Sequence, residues 1–83
     1  MANLVLLTDF MLFLEDELLL NPGEVAPDIQ FKSLRTWSSL NALILISRIN
    51  DETGIFISAS DLARCTTVAD LHQLVQNEIH GAQ

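Results

Sequence analysis

The feature that most constrains this chain is the spacing of its apolar residues. Three stretches repeat Leu, Ile, Val and Phe at intervals of three and four, which is the period of a helix with one side turned inward. In the first, Leu7, Met11, Leu14 and Leu18 share a stripe with Phe10 beside it, predicting a helix from about Leu4 to Leu18, with Thr8-Asp9 as an alternative start. Asn21-Pro22-Gly23 stops it, since proline cannot continue a helix and glycine takes dihedrals that other residues avoid. The second stretch predicts a helix from Ser38 or Ser39 to Glu52, closed by Gly54. In the third, Val68, Leu71, Leu74, Val75 and Ile79 form one face of a helix that starts after Thr66-Thr67, with Asp70 in a capping position. Between the second and third, Ile55 and Ile57 point inward from an extended piece, and Ser60 to Arg64 makes one short helical turn capped by Ser60.

The expected fold is therefore all-α: a small four-helix bundle of three main helices and one short one. A long connection from Asn21 to Trp37 joins the first two helices, and Val25, Ile29, Phe31 and Leu34 are the anchors that pin it to them. Leucine is abundant, tyrosine absent and aromatics only 6%, a balance that favours helices over strands. The 83 residues are expected to form a single domain spanning 1–83. Folding at this size buries only about 60–65% of the unfolded surface, so the core is thin and leaves little room for a deep enzyme pocket.

Charge narrows the partners. Four basic residues against eleven acidic ones give a net charge of −7, which repels nucleic acid and attracts basic protein surfaces. The greasy N-terminal stretch has no basic leader and is broken by Asp9, Glu15, Asp16 and Glu17. It reads as an amphipathic helix with no stable membrane insertion. Glu15-Asp16-Glu17 reads as a solvated helix end. The lone Cys65 excludes an internal disulfide and suits a reducing, cytoplasmic setting. It reads as a structural residue, because nothing nearby indicates a base to activate it. His72 and His80, without clustered cysteines or acids, read as surface residues, and no metal site is expected.

The second helix is the unusual one. At about 100° per residue, Ala42, Leu45, Ile46, Ile49 and Thr53 fall on one arc, and Leu40, Leu43, Ile44 and Ser47 on the opposite arc. A thin bundle cannot bury both equally. The first arc is the expected core face and the second a candidate docking face for another protein. Trp37 is expected to pack the connection against a helix end or to shape an entrance there, and Phe56 is pointed outward by alternation with Ile55 and Ile57. Ser38 and Ser39 stand where the helix begins. A serine at that position is usually an N-cap, but a helix N-terminus also welcomes a phosphate, so one serine can cap while the other carries a group.

At these residues the sequence resembles the acyl carrier proteins. Carriers of that family have a long loop, then an Asp-Ser-Leu motif opening the second helix. A glycine follows about fifteen residues on, then an apolar-x-apolar piece, a small third helix and a Thr-Thr-Val start to the last helix. Here Ser39-Leu40 is followed fifteen positions later by Gly54, then by Ile55-Phe56-Ile57 and by Thr66-Thr67-Val68. The likeness runs from about Leu7 to Val75, and the Phe31-x-x-Leu34-x-x-Trp37-Ser38-Ser39-Leu40 form resembles specialised bacterial carriers of dedicated pathways. The resemblance implies that Ser39 bears 4′-phosphopantetheine, installed by a phosphopantetheinyl transferase from coenzyme A with Mg²⁺. Acyl groups then ride as thioesters to acyl-activating, acyltransferase or ketosynthase enzymes, while the carrier, a monomer, catalyses nothing. Trp37, Ser38, Leu40, Leu43, Ile44, Ser47 and Phe56 are the expected docking residues. Two departures stand out. Ser38 replaces the family's Asp, which helps position the metal during modification, and Asn41, Ile44 and Asn50 occupy places usually held by acids. Recognition should therefore lean on apolar contact and on few, dedicated partners. The alternatives are an unmodified helical adaptor, with both serines as caps, and a carrier of aminoacyl or peptidyl groups.

Overall fold

The computed structural model describes residues 4–81, so residues 1–3 and 82–83 of the expected domain lie outside the described residues. Among the described residues there are four α-helices: α1 (Leu7–Glu17), α2 (Ser39–Thr53), α3 (Ala59–Ala63) and α4 (Val68–Gly81). A 3₁₀ turn, Phe31–Ser33, interrupts the long connection, and among the described residues the one extended pairing is an isolated bridge between Gln30 and Thr67. The all-helical expectation holds. α1 lies against α4 and α2 against α3 around one cluster in which Phe10, Leu14, Phe31, Val68, Leu71 and Val75 are fully buried. Each such side chain contributes about 1.5–3 kcal/mol by leaving water.

Local chemistry explains most of the boundaries. Ser38 is extended (φ −155°, ψ 166°) and caps α2, while Gly54, at φ +78°, supplies the left-handed conformation that ends it. Its N–H donates to Asn50 O at 2.7 Å. Thr67 caps α4 by accepting from Asp70 N at 3.2 Å, and Asp70 Oδ2 accepts from the N–H groups of Thr66 and Thr67, each at 3.1 Å. Those bonds hold the Asp70 carboxyl below its ordinary value. The short helix α3 begins earlier than its sequence suggests. Its cap is Ser58, not Ser60, because Ser58 Oγ accepts from Asp61 N while Asp61 Oδ2 accepts from Ser58 N, a reciprocal pair that Ser60 is too late to make.

The first helix departs from expectation in three ways. It starts at Leu7, not Leu4, although Leu4 is buried ahead of it. Its inward side includes Phe13 and leaves Leu7 and Met11 only half-buried. It also ends at Glu17, before the Asn21-Pro22-Gly23 stop, in a turn where Leu20 N donates to Glu15 O at 2.8 Å and Leu19 N to Asp16 O at 3.3 Å. That double bond pattern needs a left-handed residue, and Leu19 takes the role at φ +55° with its side chain 81% exposed.

Glu15 corrects the reading of the acidic run as solvated. It is 7% exposed, and Oε2 accepts the N–H groups of Gly23 at 2.8 Å and Val25 at 3.2 Å. Glu17 is also engaged, 2.9 Å from Arg48 Nε. Midway along its length the connection meets α4, whose first two amides have no partner within their own helix. Val68 N donates to Ile29 O at 3.0 Å and Ala69 N to Pro27 O at 2.9 Å. The last helix also holds the N-terminal segment, through Gln76 Nε2 to Leu4 O at 2.9 Å and His72 Nε2, 2.9 Å from Val5 O. His72 is thus half-buried beside Phe10, while His80 is exposed.

Leu19 is held in a conformation that costs a branched residue about 1 kcal/mol or more, and its side chain packs little in return. Leu19→Asn should therefore raise unfolding stability by about 0.5–1 kcal/mol, as read from the urea midpoint at unchanged slope.

Candidate functional site

The start of α2 divides its two serines between two tasks. Ser38 Oγ accepts from Asn41 N at 3.0 Å, and Ser38 O accepts from Ala42 N at 2.9 Å, so Ser38 is the cap. The Asn41 side chain reaches back to Thr36 O, tying the end of the connection to the first turn of the helix. Ser39 follows as the first helical residue. It is exposed, and among the described residues no hydrogen bond engages its hydroxyl. The amides of Ser39 and Leu40 likewise have no acceptor among the described residues.

The electrostatics of this turn differ from those of the other helices. α1, α3 and α4 each carry an acid in the first turn, namely Asp9, Asp61 and Asp70. Such acids complement the positive end of a helix. α2 carries none. Its tip combines a free hydroxyl, unpaired amides and an uncompensated dipole, a combination that favours an anionic group attached or bound there.

Beside Ser39 runs a groove of about 430 Å³ between α2 and α3. Ser39, Ala42, Leu43 and Ile46 line it from α2, and Ala59, Leu62 and Ala63 from α3. Lys32 and Trp37 complete it from the connection. Trp37 is half-buried with its ring edge-on to Phe31, centroids 5.1 Å apart, so it both packs the connection and forms one wall.

The two arcs of α2 separate as their spacing predicts. Leu45, Ile46 and Ile49 are buried, with Ala42 and Thr53 half-buried at the edges of that side. On the other side Leu40 is 67% exposed, and Leu43, Ile44 and Ser47 are exposed as well. Phe56 is 69% exposed on the link to α3 and lies outside the groove lining. The acids at the end of α2 are not free: Arg48 approaches Asp51 and Glu52 at 3.5 Å each, besides its closer bond to Glu17.

Sequence reasoning missed Lys32, Ala59 and Ala63. Nothing in their local spacing marks them, because the groove exists only once α3 folds back beside α2. Cys65 is buried, and burial pushes its thiol above the ordinary range, away from the reactive thiolate. Among the described residues no group of three or more His, Cys, Asp or Glu side chains is arranged to hold a metal ion, and no helix is long and apolar enough to cross a membrane.

Residues 13–75 match the family described as the phosphopantetheine attachment site, and the chain belongs to that family of carriers. No curated protein sequence matches it. The group such carriers hold, covalently bound 4′-phosphopantetheine, is joined through a phosphodiester, and the open tip of α2 fits that chemistry: a free hydroxyl to esterify and unpaired amides with no competing acid.

Because the cap is Ser38 alone, Ser38→Ala should lower stability by about 1 kcal/mol, whereas Ser38→Asp, which keeps an accepting oxygen at the positive helix end, should restore it. Chemical denaturation of the two variants checks this.

Proposed function

We propose that Ser39 is the residue that bears the 4′-phosphopantetheine arm, and that the chain delivers acyl groups, as thioesters on the arm's terminal thiol, to enzymes of a dedicated biosynthetic pathway. The observation that carries the assignment is the contrast between the two hydroxyls. Ser38 Oγ is occupied as the helix cap, whereas Ser39 presents an exposed, unbonded hydroxyl on the one helix without a first-turn acid. The unmodified-adaptor reading, in which both serines act as caps, leaves that contrast without a purpose.

Partner enzymes meet the exposed arc of α2, with Leu40, Leu43, Ile44 and Ser47 at its centre and Trp37, Ser38 and Phe56 around it. Since Asp51 and Glu52 already share Arg48, little negative charge on this helix is left for a basic enzyme surface. Apolar fit therefore carries more of the recognition than charge, which suits a small set of dedicated enzymes: the transferase that installs the arm, then enzymes that activate, transfer or condense acyl groups. The carrier acts as a monomer, supplies no catalytic group of its own, and works in the cytoplasm, where its single free thiol stays reduced.

The test is intact-protein mass after incubation with coenzyme A, Mg²⁺ and a broad-specificity transferase. One phosphopantetheine should be gained by the wild type and by Ser38→Ala, and none by Ser39→Ala. Gain by Ser39→Ala, or by no form with any cognate transferase, overturns the assignment. The docking face has its own measurement. Ile44→Asp should leave stability within about 0.5 kcal/mol, because the side chain is already exposed, yet raise KM for a cognate acyl-loading enzyme by about tenfold.

A further inference from the structure

Among the described residues the groove beside Ser39 is lined by a single charged side chain, and it is positive. Of the chain's four basic side chains, three are spent on carboxylates: Arg35 on Glu24 at 2.9 Å, Arg48 on Glu17 at 2.9 Å, and Arg64 on Asp61. Lys32 is the exception. Its ammonium donates to a neutral acceptor, the carbonyl of Ala63 at the end of α3, at 2.7 Å, and lies 5.6 Å from the centre of the Phe31 ring. In a chain with eleven acids and four bases, a cation left without an acid is placed against the odds of composition. Among the described residues no acidic side chain lines the groove.

We propose that the groove receives the tethered acyl chain when that chain ends in a carboxylate, and that Lys32 selects it. The inference rests on Ser39 bearing the arm. An ammonium has three N–H donors, and the Ala63 carbonyl takes one, leaving two for an anionic oxygen. The apolar walls formed by Ile46, Leu62 and Trp37 accommodate methylene groups, and the charge at the rim answers the far end of the chain. A hydrogen bond between two charged groups is roughly twice as strong as one between neutral groups, so a carboxylate gains where a methyl end gains nothing from the ammonium. Elsewhere the surface, with its net charge of −7, repels an anion, which confines the carboxylate to this one cation.

The experiment loads the holo chain with hexanoyl or adipoyl groups, which have the same carbon count and differ in the terminal group. Intact mass verifies each load. Cleavage of each thioester by hydroxylamine is compared with the same thioester on free pantetheine, and the Lys32 Nζ resonance is followed by NMR. The adipoyl thioester should be protected about fivefold more than the hexanoyl one, the upper range for a partly exposed ion pair. Lys32→Met should erase the difference and Lys32→Arg keep it. The Nζ resonance should move on adipoyl loading and stay in place when the bare arm or the hexanoyl form is present. Equal protection of the two thioesters, or a difference that survives Lys32→Met, overturns the proposal. So does an Nζ resonance that moves fully with the bare arm, which would make the phosphodiester its partner. A chain that gains no arm at Ser39 overturns the carrier assignment itself, an outcome the mass measurement separates from the others.

Discussion

A buried carboxylate with no cationic partner among the described residues holds the architecture in place. Glu15 sits inside the bundle and offers one oxygen to two backbone amides, those of Gly23 and Val25. The connection that follows α1 has little regular structure, so its polar backbone groups must find partners elsewhere or be left unpaired. Glu15 satisfies them at one end. Midway along it, the opening amides of α4 take the carbonyls of Pro27 and Ile29. Beyond these two clamps, fully buried Phe31 and the edge-on ring of Trp37 give the rest of the connection an apolar footing. The position of α2, and of everything at its tip, follows from a segment that is irregular in shape but fixed by long-range bonds.

The division between what local sequence revealed and what it concealed follows the range of the interactions. α2 was legible almost to the residue, because its cap, its apolar period and its terminal glycine all lie within one continuous stretch. The separation of its buried and exposed arcs was legible for the same reason. The end of α1 was not. Proline and glycine at residues 22 and 23 are strong stop signals, but the helix closes earlier in a turn that places a leucine where glycine is usual. Glu15 looked like one member of a charged run because its partners lie eight and ten residues away. Lys32 was invisible because the carbonyl it meets is 31 residues further along the chain. Ser58 went unrecognised for a smaller reason: Ser58 and Ser60 both precede Asp61, and only the reciprocal geometry separates them.

Charge is distributed with a consistent bias. Acids are spent where they secure backbone or neighbouring cations: Glu24 on Arg35; Glu17, Asp51 and Glu52 on Arg48; Asp61 and Asp70 on the starts of their own helices. Each of the exposed pairs contributes little to stability alone. Together they leave the outer arc of α2 nearly free of charge and its first turn without an acid, so the region around Ser39 is open to a phosphate and to apolar surfaces alike. Membership of the phosphopantetheine carrier family gives that arrangement its meaning.

One consequence follows from giving the cap to Ser38. On the proposed assignment, a group esterified to the neighbouring Ser39 hydroxyl can come and go while the helix keeps its register, its first-turn bonds and its buried side. On that assignment apo and loaded forms share one scaffold, so successive rounds of charging and discharge require no refolding.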